Sequence, residues 1–430
     1  MSYYKRTADA LLQDLLDAFG AVLIEGPKWC GKTTTASQLA NSVLKMQDPS
    51  MRAEYLVTAK TKPSILLQGD TPRLIDEWQD APMLWDAVRT TVDDRQIPGQ
   101  FILTGSNAVD KSQIHHSGAG RIARLRMLPM SLWESQESTG EVSLKELFNN
   151  PDYDIDGKMS KMTIEDLIFA ASRGGWPASL LARTPKAQLL VAKNYVQTIC
   201  SDDISGIDGR KRDAKLTSMI LRAYARNVST LVKKKSLLDD VTSSGEVSCH
   251  VDTFDDYVAA LEKLFVIQNI SAWCPAIRSK TAIRSSVKRC FCDPSIPIAL
   301  LGLSPEALSM QLRTFGFIFE QMCIRDLKAY TIDLNSHVSY YHDRYDLEAD
   351  IVLHLEDGRY ALIECKLGSS EIDDGAEHLL ELKRLIQEHN KTEKQVPIRE
   401  PDLLIVMTGG SMAYTRQDGV KVIPLSCLKD

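Results

Sequence analysis

The 430-residue chain contains no apolar run near the ~20 residues that a membrane-spanning helix requires. No apolar signal core is expected after Met1-Ser2-Tyr3-Tyr4-Lys5-Arg6, because Asp9, Gln13, Asp14 and Asp17 interrupt the stretch that follows. The nine cysteines are scattered, and no Cys-x-x-Cys recurs at zinc-binding spacing. A reduced, cytoplasmic chain without structural zinc is therefore the expectation. Positive charge is not in excess either: the net charge is −6, so only local basic clusters could argue for a nucleic-acid partner. What remains is an ordinary globular balance, 44% hydrophobic and 25% charged. The length exceeds one ordinary core, so two or three domains are expected.

The strongest signal is Gly26-Pro27-Lys28-Trp29-Cys30-Gly31-Lys32-Thr33, which reads G-x-x-x-x-G-K-T. The apolar run Ala21-Val22-Leu23-Ile24 precedes it, and a helical run from Thr33 to Ala40, including Thr34, follows. This is the strand–loop–helix setting of a P-loop. Gly26 and Gly31 permit a turn whose N–H groups point at phosphate oxygens. Lys32 is expected at the β/γ-phosphates of ATP, and Thr33 on Mg²⁺.

Downstream, Leu74-Ile75-Asp76-Glu77 is an apolar strand ending in two carboxylates. Asp76 is expected in the Mg²⁺ shell, and Glu77 to orient and polarise the attacking water. The strand Phe101-Ile102-Leu103 exits through Thr104-Gly105-Ser106-Asn107, where Ser106 and Asn107 are candidate γ-phosphate sensors. Arg121, in the turn Ser117-Gly118-Ala119-Gly120-Arg121, is a candidate γ-phosphate arginine acting in cis or from a neighbouring subunit, or else a surface residue. The adjacent pair His115-His116 lacks the spacing of a helical metal site.

This order of motifs, with Leu-Ile-Asp-Glu-Trp-Gln, Leu-Thr-Gly-Ser, Ser-Gly-Ala-Gly-Arg-Ile and Leu-Pro-Met-Ser-Leu-Trp-Glu-Ser, resembles a family of prokaryotic AAA+-type ATPases with a C-terminal domain of unknown function. The resemblance spans nearly the whole chain. It implies ATP binding and a domain layout, and leaves the physiological role open.

Residues 136–160 are polar and turn-rich, and mark a boundary. A helix from Ile164 ends at Arg173-Gly174-Gly175-Trp176-Pro177, a turn similar to one in that family. Arg173 is either a second arginine near nucleotide or a salt-bridging lid residue. Three helices are expected between 214 and 264, the second capped by Ser229 or Thr230 and the third by Asp252 or Thr253, followed by strand character. This is a winged-helix pattern. Two basic blocks flank it, Arg210 to Lys235 and Arg278, Lys280, Arg284, Lys288, Arg289, and DNA phosphate contact through them is one expectation. The acidic third helix, with Asp252, Asp255, Asp256 and Glu262, points instead to a protein-binding module.

In the last third, a helix Leu312–Tyr330 carries Glu320 among core-spaced apolar residues. Leu347–Leu355 and Arg359–Leu367 read as strands joined at Glu356-Asp357-Gly358. If Leu355 pairs with Arg359 around a left-handed Gly358, Asp350 faces Glu364 and Glu348 faces Lys366. A two-residue turn would set Asp350 on the opposite side. The first register builds two carboxylates and a lysine able to hold Mg²⁺ and activate water. Glu320, Asp350, Glu364 and Lys366 resemble the motif of the PD-(D/E)xK nuclease superfamily, in which many members keep the fold without the chemistry.

The expected architecture is α/β and multidomain. An AAA+-like P-loop core at 1–135 is followed by a linker and helical lid at 136–213 and a winged-helix-like module at 214–295. A restriction-endonuclease-like α/β domain at 296–430 completes it. Three functions fit: an ATP-driven switch controlling a nucleic-acid- or protein-binding domain, an ATP-regulated nuclease, or a scaffold docking a partner or a second copy.

Overall fold

A computed structural model of the chain describes residues 3–106, 114, 116–243, 245–273, 286–343, 345, 347–391 and 396–430. Asn107, His115, Arg278, Lys280 and Arg284 lie outside the described residues. The chain divides into two units, Met1–Pro129 with Lys263–Phe265, and Met130–Glu262 with Val266–Asp430.

The first unit is a five-stranded, all-parallel sheet. Its strands are β1 (Ala21–Glu25), β2 (Ser42–Lys45), β3 (Arg73–Asp76), β4 (Phe101–Gly105) and β5 (Ile122–Arg126), in the spatial order β2-β3-β4-β1-β5. β1 and β4 are buried along their whole length, as expected of central strands covered on both faces. The helices are α1 (Ala8–Ala18), α2 (Lys32–Leu39), α3 (Arg52–Thr61) and α4 (Met83–Arg95). Leu23, Ile75 and Leu103 pack with Trp78, Leu84, Trp85 and Val88 in a continuous core. The tilted Trp78 and Trp85 rings lie 5.1 Å apart within it. Lys45, Asp76 and Thr104 are register partners across β2, β3 and β4, while Glu25 is the partner of Gly105. The carboxyl ends of four strands therefore meet at one edge, where open α/β sheets bind ligands.

The helices of the first part of the second unit include α5 (Ile164–Arg173), α6 (Pro185–Thr198), α7 (Ala214–Arg226), α8 (Lys234–Thr242) and α9 (Val251–Lys263). Thr163 and Asp166 form a reciprocal capping box at the start of α5. The antiparallel bridges Ile267–Phe291 and Ile270–Lys288 follow α9. Two expected caps are displaced. α8 starts at Lys234, and Ser229 has a left-handed backbone with its hydroxyl donating to the Phe317 carbonyl. α9 already includes Asp252 and Thr253, because it begins at Val251.

A six-stranded mixed sheet completes this unit. Its strands are β7 (His337–His342), β8 (Glu348–His354), β9 (Tyr360–Lys366), β10 (Leu403–Thr408), β11 (Tyr414–Thr415) and β12 (Lys421–Pro424), in the order β11-β12-β10-β9-β8-β7. α10 (Ser295–Leu301) and α11 (Leu312–Tyr330) precede it, and α12 (Ile372–Asn390) joins β9 to the parallel β10. Near the chain's end, β13 (Leu428–Lys429) pairs in parallel with β6 (Val142–Ser143).

The Arg-Gly-Gly-Trp-Pro turn is built into a buried ionic network within this unit. Asp293 accepts from the Gly175 N–H at 2.9 Å and from Arg325 at 3.1 Å, and Arg325 also donates to Asp326 at 2.7 Å. Asp326 in turn accepts from the Leu132 N–H at 3.0 Å. Gly175 is required because a Cβ there would lie 2.1 Å from the Met130 carbonyl oxygen. Arg173 donates to Glu137 at 2.7 Å and is buried, so it acts as a salt-bridging residue of this unit.

Candidate functional site

The P-loop connects the end of β1 to the start of α2. Gly26 has φ +154° and is pressed so closely against the chain that a Cβ would lie 2.2 Å from the Met127 carbonyl oxygen. Gly31, at φ +103°, precedes the first turn of α2 in a left-handed conformation. Pro27 and Cys30 are buried, Lys28 is half-buried, and Trp29 and Thr34 are exposed. Lys32 is buried, its ammonium donating to the carbonyls of Gly26 (3.0 Å) and Pro27 (2.8 Å). Lys32 thus folds back over the loop whose phosphates it is expected to bind.

Sequence reasoning missed a buttress under this loop. The Arg6 guanidinium donates to the carbonyls of Cys30 and Leu128, both at 2.7 Å. The Tyr3 hydroxyl meets the Thr35 hydroxyl at 2.8 Å and Asp9 at 2.6 Å. Burial and the Asp9 hydrogen bond raise the Tyr3 pKa well above its ordinary value, so the phenol stays neutral.

Asp76 and Glu77 lie where β3 ends, beside the loop. The hydroxyls of Thr33 and Thr104 both donate to Asp76 Oδ1 at 2.7 Å. Thr104 was read only as the first residue of the turn leaving the strand; the strand continues to Gly105, and the parallel register of β3 and β4 gives Thr104 this position. Glu77 has a left-handed backbone, φ +56°, which turns its side chain out of the strand. Its carboxylate accepts from the Gln79 amide and, at 3.4 Å, from the Ser106 hydroxyl. Ser106 therefore stands beside the expected water-orienting carboxylate, together with Gln79, which sequence reasoning had not singled out.

The structure does not bring Arg121 to this edge. Arg121 directly precedes β5, whose Ile122 is the register partner of Ala21, the first residue of β1. The P-loop leaves β1 at its other end, four residues and about 13 Å along the strand. Arg121 donates to Asp93 on α4 at 2.7 Å. The cis arrangement is thereby corrected: the strand direction points Arg121 away from its own P-loop. Arg124 and Arg126 of β5 flank buried Glu25, at 3.6 and 3.9 Å, and Arg126 is the register partner of Glu25.

A second constellation lies in the other unit. The Leu355 N–H donates to the Arg359 carbonyl, and Gly358 has φ +87°. The β8–β9 register pairs Ile351 with Ile363, so one residue further Asp350 faces Glu364. Asp350 accepts from the Cys365 N–H at 2.9 Å. Lys366 Nζ lies 2.8 Å from Glu364 Oε2, and His378 Nδ1 lies 3.9 Å from the same atom. Glu364 is fully buried, and Glu320 on α11 is 7% exposed. Burial, then the neighbouring carboxylates, pushes the Glu364 carboxyl up to about 8.

This cluster holds a residue that sequence reasoning assigned elsewhere. Lys288, taken as part of a surface basic block, is 5% exposed. Its ammonium lies 2.5 Å from Glu320 Oε1 and 2.9 Å from the Asp350 carbonyl oxygen. Asp350 Oδ1 is 3.5 Å away. Burial opposes its charge, but the Glu320 and Asp350 carboxylates outweigh that and hold the Lys288 pKa above its ordinary value. The expectation of a divalent metal on Asp350 and Glu364 therefore meets an ammonium already seated among these carboxylates. Among the described residues, no group of three or more His, Cys, Asp or Glu side chains is arranged to hold a metal ion.

Several of the remaining described basic residues are paired with carboxylates. Arg212 donates to Asp208 and Asp256, Arg226 to Asp240, and Lys234 to Asp255. Lys215 pairs with Glu246, and Arg289 is buried against the Tyr224 ring. Among the described residues, the first of the two flanks thus has part of its charge neutralised by nearby carboxylates.

Residues 18–136 match a family model described as an AAA domain. Residues 164–307 and 315–428 each match a domain of unknown function, DUF8612 and DUF4143. Two uncharacterized proteins, Rv2008c of Mycobacterium tuberculosis and Mb2031c of Mycobacterium bovis, are each 24% identical over 367 residues, covering 83% of this chain and 72% of theirs. Among solved structures, the Walker-type ATPase PABY2304 of Pyrococcus abyssi aligns with 70% of this chain and 96% of its own, at 11% identity and a TM-score of 0.41. The AAA-domain match and the P-loop geometry make residues 18–136 a P-loop ATPase domain. Among the described residues, no helix is long and apolar enough to cross a membrane.

Proposed function

We propose that the chain is an ATP-hydrolysing AAA-type switch whose nucleotide state controls its C-terminal domain. The observation that carries this reading is the convergence at one strand edge of Thr33, Thr104 and Asp76, with Glu77 held beside them by Gln79 and Ser106. Gly26 through Thr34 bind the triphosphate, and Lys32 leaves its loop carbonyls for the β/γ-phosphates. The oxygen donors Thr33 and Asp76 suit Mg²⁺, which when bound neutralises charge on the phosphates. Glu77 orients the attacking water, and Ser106 and Gln79 aim the Glu77 carboxylate. Any contact of Arg121 with nucleotide is made from a neighbouring subunit. Phosphate release from ATP falls at least about a hundredfold in Lys32→Ala. Undiminished release in that variant removes the P-loop mechanism. Control of the C-terminal domain is read by hydrogen exchange of residues 315–428 with and without ATP, and identical protection contradicts it.

A second reading, a nuclease of the PD-(D/E)xK type, is favoured by one observation: the hairpin register that sets Asp350 opposite Glu364 and beside Lys366. With Lys288 seated against Glu320 and Asp350, the residues as arranged do not fit a resident Mg²⁺. On the switch reading, the same fold binds a nucleic acid or a partner protein without cutting. Plasmid incubation with Mn²⁺ separates the two, since only the nuclease yields nicked or linear product that Lys366→Ala abolishes.

A further inference from the structure

We propose that the Lys288 ammonium is the resident cation of the Glu320–Asp350–Glu364 cluster, occupying the place a divalent metal would need and keeping the C-terminal α/β domain in a metal-excluding form. This inference rests on the nuclease-like reading of that domain and reverses its expectation of a bound metal.

Three observations carry it. First, the ammonium is coordinated as a cation in a built site, by Glu320 Oε1 at 2.5 Å and the Asp350 carbonyl at 2.9 Å, with Asp350 Oδ1 at 3.5 Å. The face of Tyr340 lies 5.6 Å away and adds a further favourable contact. Second, the lysine is pinned by its backbone. Its N–H donates to the Ile270 carbonyl at 2.9 Å, and its carbonyl accepts from the Ile270 N–H at 3.1 Å. Third, Lys288 is the cation that faces Glu320 and Asp350, while Lys366 faces Glu364. Glu320 is buried and Asp350 half-buried, so removing Lys288 leaves these two carboxyl groups without their cation, and a metal ion can take its place. Mg²⁺ and Mn²⁺ also require direct oxygen contacts, and the Glu320 and Asp350 oxygens are turned to the ammonium.

The test is Mn²⁺ binding to the full chain, counted by electron paramagnetic resonance without nucleotide, so that any P-loop site is common to all variants. Wild type and Glu364→Gln are expected to bind equal amounts. Lys288→Ala is expected to gain one site, at least about tenfold tighter than anything wild type shows outside the P-loop. That site is lost in Lys288→Ala/Glu364→Gln. A wild-type Mn²⁺ site that Glu364→Gln abolishes overturns the proposal, as does a folded Lys288→Ala that gains nothing. Because removing the lysine leaves Glu320 and Asp350 without their cation, Lys288→Gln is made in parallel. Failure of both to fold even in millimolar Mn²⁺ also counts against the proposal, since a vacated cation site should take the metal. Plasmid cleavage is scored separately. A gained metal without cutting supports the lysine assignment and removes the nuclease reading.

Discussion

Asp76 gathers two hydroxyls on one oxygen, and Glu77 is aimed by an amide and a hydroxyl. The two neighbouring carboxylates are thereby separated in role. Asp76 lies among groups that can share a cation, and Glu77 faces outward from a left-handed backbone. Glu77→Gln keeps the size and hydrogen-bonding reach but loses the charge that polarises water. ATP hydrolysis falls at least about a hundredfold while ATP affinity, read by equilibrium binding, changes little. At this scale the sequence singled out Lys32, Thr33, Asp76 and Glu77, whose proposed roles rest on near neighbours in the chain. It was silent on Thr104 and Gln79, and it misplaced Lys288. A lysine in a basic run looks solvated until Glu320 and Asp350 are seen to face it.

At the scale of elements, strand direction matters more than residue type. Arg121 belongs to a glycine-rich turn of the kind that can reach phosphate, yet it enters β5 at the end of the sheet remote from the P-loop. Hairpin register is the counterpart: Gly358 in its left-handed conformation places Asp350 opposite Glu364. Arg325 shows how elements are joined, since its guanidinium links the loop at Asp293 to Asp326 on its own helix, and both aspartates hold backbone N–H groups. Arg325→Met leaves two buried carboxylates without their cation and destabilises the second unit by about 3–5 kcal/mol, measured by urea denaturation.

Asp208 is the corresponding device in the turn that precedes α7. Its hydrogen bonds from Arg212 lower its pKa from the usual carboxylate value to about 2. A carboxylate depressed in the folded state contributes stability above its unfolded pKa and loses it as pH falls through the folded value. Acidification from about pH 4 to 2 should therefore remove about 1 kcal/mol after solvent screening. Asp208→Asn should show a shallower acid loss over that window, monitored by circular dichroism.

For the whole molecule, ligand linkage gives the broadest test. ATP with Mg²⁺ at a hundred times its Kd should stabilise the P-loop unit by about 2.7 kcal/mol and raise its melting transition. Lys32→Ala should abolish the shift, and a shift that persists would place the nucleotide elsewhere.

Motifs whose members are adjacent in the chain were readable at once, because a glycine turn or a strand end is a local conformational preference. Helix Leu312–Tyr330 and the Asp76-Glu77 strand end belong to that class. The arrangement of Thr104 over Asp76, of Arg121 away from the loop, and of Lys288 between Glu320 and Asp350 came from folding. Each depends on which strand pairs with which, in what direction and at what register, and on which charges burial forces to neutralise one another. Those are energies of contact between residues far apart in the chain, and no local pattern carries them.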